Sequence, residues 1–509
     1  MVKKLLCATA YGVGAKVIQV EATFSRGLPS FVISGLAGSA IQEAKQRVQG
    51  ALAHNNFQTL NFKITINLSP SDLSKNGSHF DLPIALLVAL QKQEVELKNW
   101  FAFGELGLDG YIKNTNAIYP LLLEISKSYP KSNILLPKEG EKLYSNIPNL
   151  NIYYAVDLME AIAILKNPTN KAKQYEFSFK SVEIHGEKYY YDENSAENSA
   201  MDFSDVKGQI VAKRAALIAA AGFHNIIFEG SPGCGKSMIA KRMRYILPPI
   251  SFAEMCECAS INALNNAQNS YTALRPFRNP HQSSSNASIL GSVIQNDAKP
   301  GEISLAHNGI LFFDEMLNFQ KSALESLREP LENDELSISR VNIKVTYPAS
   351  VLFVGAMNPC PCGNLYSTTK ECRCKDMEIR KYRNKLSEPL RDRIDIFIKM
   401  DESKSDERVS SAELFTQVLV AFRAQISRGQ RKLNGKLDDS EIARFCALKS
   451  AESELLDKAV QRYGLSYRGR QKILKVARTI ADLETKDCEN GKDIKKEHLL
   501  EALSYRIIN

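Results

Sequence analysis

Eight consecutive residues, Gly230-Ser231-Pro232-Gly233-Cys234-Gly235-Lys236-Ser237, have the spacing of a loop that wraps phosphate. The chemistry follows from the residue types. Glycines at 230, 233 and 235 let backbone amides turn inward, and a helix starting after them offers its positive end to the same anion. Lys236 would reach the β- and γ-phosphates of a nucleotide, and Ser237 would ligate Mg²⁺. The loop lies between the apolar run Ile226-Ile227-Phe228 and the helix-forming run Met238–Tyr245, the strand–loop–helix context that such a site needs.

Two further apolar runs end in polar residues suited to the same reaction. Ile310-Leu311-Phe312-Phe313 delivers Asp314 and Glu315: Asp314 would hold Mg²⁺ through its water shell, and Glu315 would polarise an attacking water. Val351–Ala356 leads into Met357-Asn358-Pro359, where the Asn358 amide could orient that water and sense the γ-phosphate. Arg393, between Asp392 and Ile394, and Arg468, in Ser466-Tyr467-Arg468, are charged residues whose types alone fit a surface ion pair as well as a catalytic role.

Cys360, Cys362, Cys372 and Cys374 supply four thiolates in two C-x-C pairs, enough for one tetrahedral Zn²⁺. Four protein ligands leave no open position, so such a metal would be structural. The pairs are tighter than the usual C-x-x-C knuckle, and reduced, unligated thiols are the alternative.

These residues need a scaffold. A chain of 509 residues suggests about three domains. Its 44% hydrophobic and 24% charged content fits a folded globular protein, and its net charge of +8 permits contact with nucleic acid without requiring it. The opening Met1–Ala8 segment lacks the apolar length of an export signal, and Leu82–Leu90 is far shorter than the roughly 20 residues a membrane span requires. A cytoplasmic protein is expected. Residues 1–165 alternate short strands (Lys16–Phe24, Phe31–Ile33, Phe62–Asn67) with an amphipathic helix (Ile41–His54), predicting an α+β domain. Residues 166–200 are polar and read as a linker. Residues 201–402 carry unalternating apolar strands suited to a parallel sheet covered on both faces, with the cysteine-rich segment 360–374 as an insert. Residues 403–509 are helical, with helices predicted at Asp439–Lys449, Ser453–Tyr463, Gly469–Leu483 and Lys496–Tyr505. The predicted fold class is therefore multidomain α/β.

The order of these motifs resembles an AAA+ ATPase. Asp202–Gln209, Arg275–His281, Pro300–Asn308 and Met357–Gly363 more specifically resemble the magnesium-chelatase-related ComM/YifB family, over almost the whole chain. The resemblance implies ATP and Mg²⁺ as ligands, an adenine pocket at Val206–Gln209 that includes Gly208, Arg393 as a finger completing a neighbour's site, and Arg468 as a second sensor. A finger acting in trans implies a ring, expected to be a homohexamer. The helical residues 403–509 then correspond to a C-terminal lid.

Lys75–Asp81 and Gly104–Gly110 resemble the two signatures of the Lon protease domain, so a Lon-like (ribosomal S5-like) fold is expected for residues 1–165. The positions of that family's nucleophile and lysine hold His79 and Tyr119. Ser78 and Lys113 are offset from them, which disfavours proteolysis. Similarity to ComM implies ATP-driven branch migration of single-stranded or branched DNA in natural transformation, possible recombination-protein partners, and no membrane partner. In related helicases, insertions such as Arg275–Glu302 and Leu336–Pro348 project into a central channel. Arg275, Arg278, Lys299, Arg340 and Lys344 are accordingly candidate phosphate contacts, although packing between subunits fits any one of them equally. A magnesium chelatase subunit and a protein-remodelling chaperone are the alternative functions.

Overall fold

The structure, a computed structural model, describes residues 2–11, 14–57, 62–145, 147–168, 179–192, 201–265, 272–294, 297–340, 343–400, 407–485 and 493–506. It has two units, residues 1–178 with 259–271, and residues 179–258 with 272–509.

Strands of the first unit are β1 (Lys3–Tyr11), β2 (Gly14–Arg26), β3 (Ser30–Ser34), β4 (Phe62–Ser69), β5 (Trp100–Ala102), β6 (Glu105–Leu106), β7 (Ile112–Lys113), β8 (Asn133–Pro137) and β9 (Asn151–Ala155). Seven form one sheet in the order β3-β4-β2-β1-β5-β8-β9, while β6 and β7 pair separately. The sheet is mixed: β2 runs antiparallel to β1 and β4, and the other neighbours are parallel. The expected helix is present as Ser39–His54, with Ile41, Ala44, Val48, Ala51 and Leu52 on its buried stripe. Every residue of the short helix Asp81–Ala89 is buried, so the apolar run read at Leu82–Leu90 fills a core. Among the described residues no helix is long and apolar enough to cross a membrane.

The second unit departs from the expected boundary at its start. Residues 180–191, expected to be linker, form the hairpin β10 (Lys180–Ile184) and β11 (Glu187–Tyr191), which turns at His185-Gly186 in the left-handed region. Tyr189 meets Phe422 edge-on at 5.1 Å, and Tyr191 meets Phe415 at 5.3 Å. Residues two apart on a strand share a face, so both tyrosines can anchor the hairpin to one helix. The rest of 166–200 lies largely outside the described residues.

The central sheet uses β12 (Ile226–Gly230), β14 (Phe277–Arg278), β17 (Ile310–Phe313), β20 (Leu352–Met357) and β21 (Ile396–Met400), in the order β14-β17-β20-β12-β21 and parallel throughout. The short β13 (Ile250–Ser251) pairs with β11. The missing alternation in the main strands has a clear cause: both faces are covered. Ile226, Phe228, Ile310, Phe312, Leu352 and Val354 enter one apolar core, while Ile227, Leu311, Phe313 and Phe353 enter another. Two antiparallel hairpins flank the sheet residues, β15 (Gly291–Ile294) with β16 (Asp297–Pro300), and β18 (Glu335–Arg340) with β19 (Ile343–Pro348). Helices Ser411–Ser427, Asp439–Phe445, Ser450–Tyr463, Tyr467–Leu483 and Lys496–Ser504 close the chain, and several of them contribute to the first of those cores.

Candidate nucleotide site

Parallel strands place their carboxyl ends on one edge of a sheet, and ligands of open α/β sheets sit there. In this sheet that edge collects Gly230 from β12, Asp314 after β17 and Asn358 after β20. Register fixes the match, with Phe313 opposite Gly355 and Glu229 opposite Met357.

Within the loop, Gly233 at φ 86° and Gly235 at φ 98° hold left-handed backbone that other residues rarely adopt. The helix Lys236–Arg242 begins directly after. Lys236 Nζ donates to the carbonyls of Gly230 (2.6 Å) and Ser231 (2.8 Å) and to Asn358 Oδ1 (3.3 Å). Burial lowers the Lys236 pKa, with Cys234, Asp314 and Glu315 opposing the shift. Ser237 Oγ donates to Asp314 Oδ1 at 3.0 Å, joining the two residues expected to hold Mg²⁺. Ser231 Oγ, buried, has no hydrogen-bond partner among the described residues.

Glu315 is exposed beside half-buried Asp314 and sits in the left-handed region at φ 48°, a conformation costing an L-residue roughly 1–2 kcal/mol. Its amide donates to Asp314 Oδ1 (3.0 Å), and its carboxylate accepts from Asn318 Nδ2 (3.0 Å). The turn thus aims one carboxylate at the metal position and the next toward solvent. Val206 packs beside Gly235: a Cβ on that glycine would lie 3.9 Å from Val206 Cγ1. Gly208 (φ 62°) and Gln209 (φ 56°) form the turn into the helix Ile210–Gly222.

Neither Arg393 nor Arg468 hydrogen-bonds the phosphate loop among the described residues. Both donate to the same carboxylate, Glu332. Arg393 also donates to the carbonyls of Arg328 (2.9 Å) and Pro389 (2.6 Å). Its own carbonyl accepts from Asn225 Nδ2 (3.0 Å) and Lys472 Nζ (3.1 Å), and Lys472 reaches Asp395 at 2.6 Å. Lys472 lies one turn beyond Arg468 on the helix Tyr467–Leu483, so a single helix carries one arginine and ties down the turn bearing the other. Asp395 is buried; its pKa is nevertheless lowered, because Lys472, His224 and hydrogen bonding outweigh the cost of burial. Lys472→Met is expected to destabilise the second unit by about 3–5 kcal/mol by stranding that carboxylate. Thermal unfolding would check this; an unchanged transition would remove Lys472 from the account.

The cysteine cluster assembles in space. All four sulfurs lie within 4.8 Å of one another. Amides of Asn364 and Arg373 donate to Cys362 and pull its thiol down to about 6.

The proposed DNA contacts divide differently from the expectation. Arg275 is 3% exposed and donates to the carbonyls of Pro248, Pro249 and Asn308, each at 2.8 Å, and to Glu254 at 3.0 Å. It is a buried tie, because the two proline carbonyls cannot be satisfied from solvent there. Arg278 forms a two-pronged pair with Glu302 (2.6 and 2.8 Å), leaving it partly committed. Lys299 is exposed on β16. The backbones of Arg340 and Lys344 lie at the end of the β18–β19 hairpin, but their side chains fall outside the described residues. The two hairpins are adjacent: a Cβ on Gly291 would meet Ile338 Cδ1 at 2.7 Å.

In the first unit His79 is buried, with Nε2 3.0 Å from the Ala8 carbonyl, and burial lowers its pKa to about 4. Lys75 Nζ points to the carbonyls of Gly35 and Pro70. Among the described residues no hydrogen bond joins Ser78 to Lys75 or to exposed Lys113, so no Ser–Lys dyad forms. Tyr119 is a core residue.

The parallel sheet, the loop at its edge and the helices that follow place the second unit among phosphate-loop proteins of the AAA+ type. Its family is narrower. Residues 202–408 match magnesium chelatase, subunit ChlI; residues 20–140 match subunit ChlI of Mg-chelatase; and residues 408–506 match magnesium chelatase, subunit ChlI C-terminal. The chain is 36% identical over 507 residues to competence protein ComM of Haemophilus influenzae, covering 97% of this chain and 95% of that protein. It is 36% identical over 514 residues to uncharacterized protein YifB of Escherichia coli K12, covering 98% and 96%. A shorter similarity, 22% over 190 residues, reaches the magnesium-chelatase 67 kDa subunit of Heliobacterium mobile, covering 32% and 28%. The chain belongs to the ComM/YifB family of magnesium-chelatase-related proteins, and membership implies ATP and Mg²⁺ as ligands.

Proposed function

We propose that the chain is a Mg·ATP-hydrolysing motor that remodels DNA as a homohexameric ring in the cytoplasm, driving branch migration during natural transformation, with recombination proteins as partners. One observation carries the ATPase part: Lys236, Ser237, Asp314, Glu315 and Asn358 meet at one sheet edge, while Arg393 and Arg468 gather at Glu332. A site with its charge-stabilising arginines grouped elsewhere is half a site. The next subunit's Arg393, with Arg468 beside it, would complete it against the γ-phosphate. The four cysteines would hold a structural zinc ion. Residues 1–165 would have a Lon-like fold without a Ser–Lys dyad and would serve ring assembly or substrate handling.

The DNA part rests on similarity to a protein named for competence and on the adjacent hairpins carrying Lys299, Arg340 and Lys344. The matches to magnesium chelatase ChlI favour a second reading, a chelatase-type subunit. ATP turnover measured with single-stranded, branched and duplex DNA separates them: stimulation by branched or single-stranded DNA is expected. Stimulation only by chelatase partner subunits, or by unfolded protein, would overturn the DNA assignment.

Unfolding and salt-dependent DNA binding test whether Arg275 is a buried tie or a phosphate contact. Arg275→Ala should cost about 2–3 kcal/mol of stability through lost buried charged hydrogen bonds, with no change in the salt slope of DNA binding. Lys299→Ala should lower that slope by about 1. A reduced slope in Arg275→Ala would restore it as a phosphate contact.

A further inference from the structure

Residues 361–385 lie beside the nucleotide site without a core of their own. Gly363 is the one buried residue in that stretch, and the helix Asp376–Arg383 buries none. Apart from half-buried Tyr382, packed on the neighbouring core, the segment buries little apolar surface, and small units of this kind are usually held by a disulfide or a metal. The cysteines are free, so no disulfide does this. Their sulfurs are 3.4 Å (Cys360–Cys362), 3.7 Å (Cys360–Cys372) and 3.7 Å (Cys362–Cys372) apart. A tetrahedron with Zn–S bonds of about 2.3 Å has edges of about 3.8 Å, whereas a disulfide would need about 2.05 Å.

The same segment touches the nucleotide site at three places. Gly363, at φ 80°, lies so close to the phosphate loop that a Cβ would sit 2.7 Å from both Cγ and Cδ of Pro232. Arg383 Nη2 donates to Glu229 Oε1 (2.8 Å), on the residue before Gly230, and to Tyr366 Oη (2.6 Å). Tyr366 in turn donates to Glu229 at 3.3 Å, and Arg383 Nε donates to the Pro359 carbonyl at 3.3 Å. The backbone N–H of Asn358 donates to the Tyr382 hydroxyl. Glu229, Pro232 and Asn358 are thus all held from one side by residues flanking the cysteines.

We propose that Cys360, Cys362, Cys372 and Cys374 bind one zinc ion, and that this ion braces the phosphate loop through Gly363 on Pro232 and Arg383 on Glu229. The inference deepens the ATPase reading and rests on it only for the effect on nucleotide affinity. The brace itself concerns the nucleotide-free loop.

Full-length protein purified without chelator should contain one zinc per chain by elemental analysis. Stripping it with 1,10-phenanthroline should accelerate amide exchange of residues 230–237 in the nucleotide-free protein and weaken binding of a non-hydrolysable Mg·ATP analogue by at least about tenfold. One equivalent of Zn²⁺ should restore both. Gly363→Ala should keep its zinc yet show the same faster exchange, because the added methyl displaces Pro232. Substoichiometric metal in fully reduced protein, or iron in place of zinc, would overturn the site. Unchanged exchange at 230–237 after stripping, or in Gly363→Ala, would overturn the brace, as would loss of protection spreading to Tyr467–Leu483. Zinc-dependent exchange in a protein that binds no nucleotide would support the brace and sink the ATPase reading instead.

Discussion

Glu315→Gln is expected to lower ATP turnover by about 10²–10⁴-fold while leaving Mg·ATP binding unchanged. The separation follows from the geometry. Nucleotide would be held by the loop amides, Lys236, Ser237 and Asp314, none of which the substitution touches. The Glu315 carboxylate is separate from them: it is exposed, follows β17 in a left-handed turn and accepts from Asn318 at 3.0 Å, while only the backbone amide meets Asp314. Glutamine keeps an oxygen that can accept from Asn318, so the turn should persist while the basic carboxylate is lost. Lys236→Ala provides the contrast, because it removes the ammonium expected to meet the phosphates and should abolish binding itself. Equilibrium binding of a fluorescent nucleotide and steady-state turnover, measured on both variants, check the prediction. Wild-type turnover in Glu315→Gln, or parallel loss of binding, would remove Glu315 from the role of base.

The parts of this site that could be read from sequence are those in which neighbours in the chain remain neighbours in space. A phosphate loop is eight consecutive residues, an acidic pair follows its strand directly, and Asn358 follows another. Apolar strands without alternation announced a sheet covered on both faces, and β12, β17 and β20 have that environment. What could not be read are pairings between distant residues. Nothing around Glu332 marks it as the carboxylate shared by Arg393 and Arg468. Glu229, Tyr366 and Arg383 look unrelated until the chain folds, and Lys472 gains its meaning only from buried Asp395.

Arg275 fails for a related reason. In sequence it opens a polar stretch rich in Arg, His, Asn and Ser, which suggests a surface. In the fold three carbonyls and Glu254 converge on it, a requirement set by backbone elsewhere. The β10–β11 hairpin was hidden because each strand spans only five residues and its apolar partners, Phe415 and Phe422, come more than two hundred positions later. A polar segment ending in Tyr189-Tyr190-Tyr191 is read as a linker when its docking surface is out of view. Gly363 left a weak signal, a glycine immediately after C-x-C, but the reason for it is the ring of Pro232.

Arg393→Ala should reduce ATP turnover by about 10³–10⁵-fold with nucleotide affinity nearly unchanged, the size seen when a charge-stabilising arginine is withdrawn from phosphoryl transfer. In its own chain Arg393 serves Glu332 and two carbonyls, so the substitution removes no hydrogen bond to the phosphate loop. The test of action in trans is a mixture. Arg393→Ala retains its phosphate loop, and Lys236→Ala retains its arginine; each alone should be inactive. Co-assembled rings contain interfaces where an intact loop faces an intact arginine, and turnover should reappear in proportion to them. A finger acting within one chain cannot produce that recovery, since every chain in the mixture lacks one of the two groups. Absence of recovery in rings shown to contain both variants would therefore place Arg393 at its own subunit's nucleotide and remove the reason for requiring a ring. Recovery would tie hydrolysis to subunit contact, and the shared hold of Glu332 on Arg393 and Arg468 means that one interface would deliver both charges together.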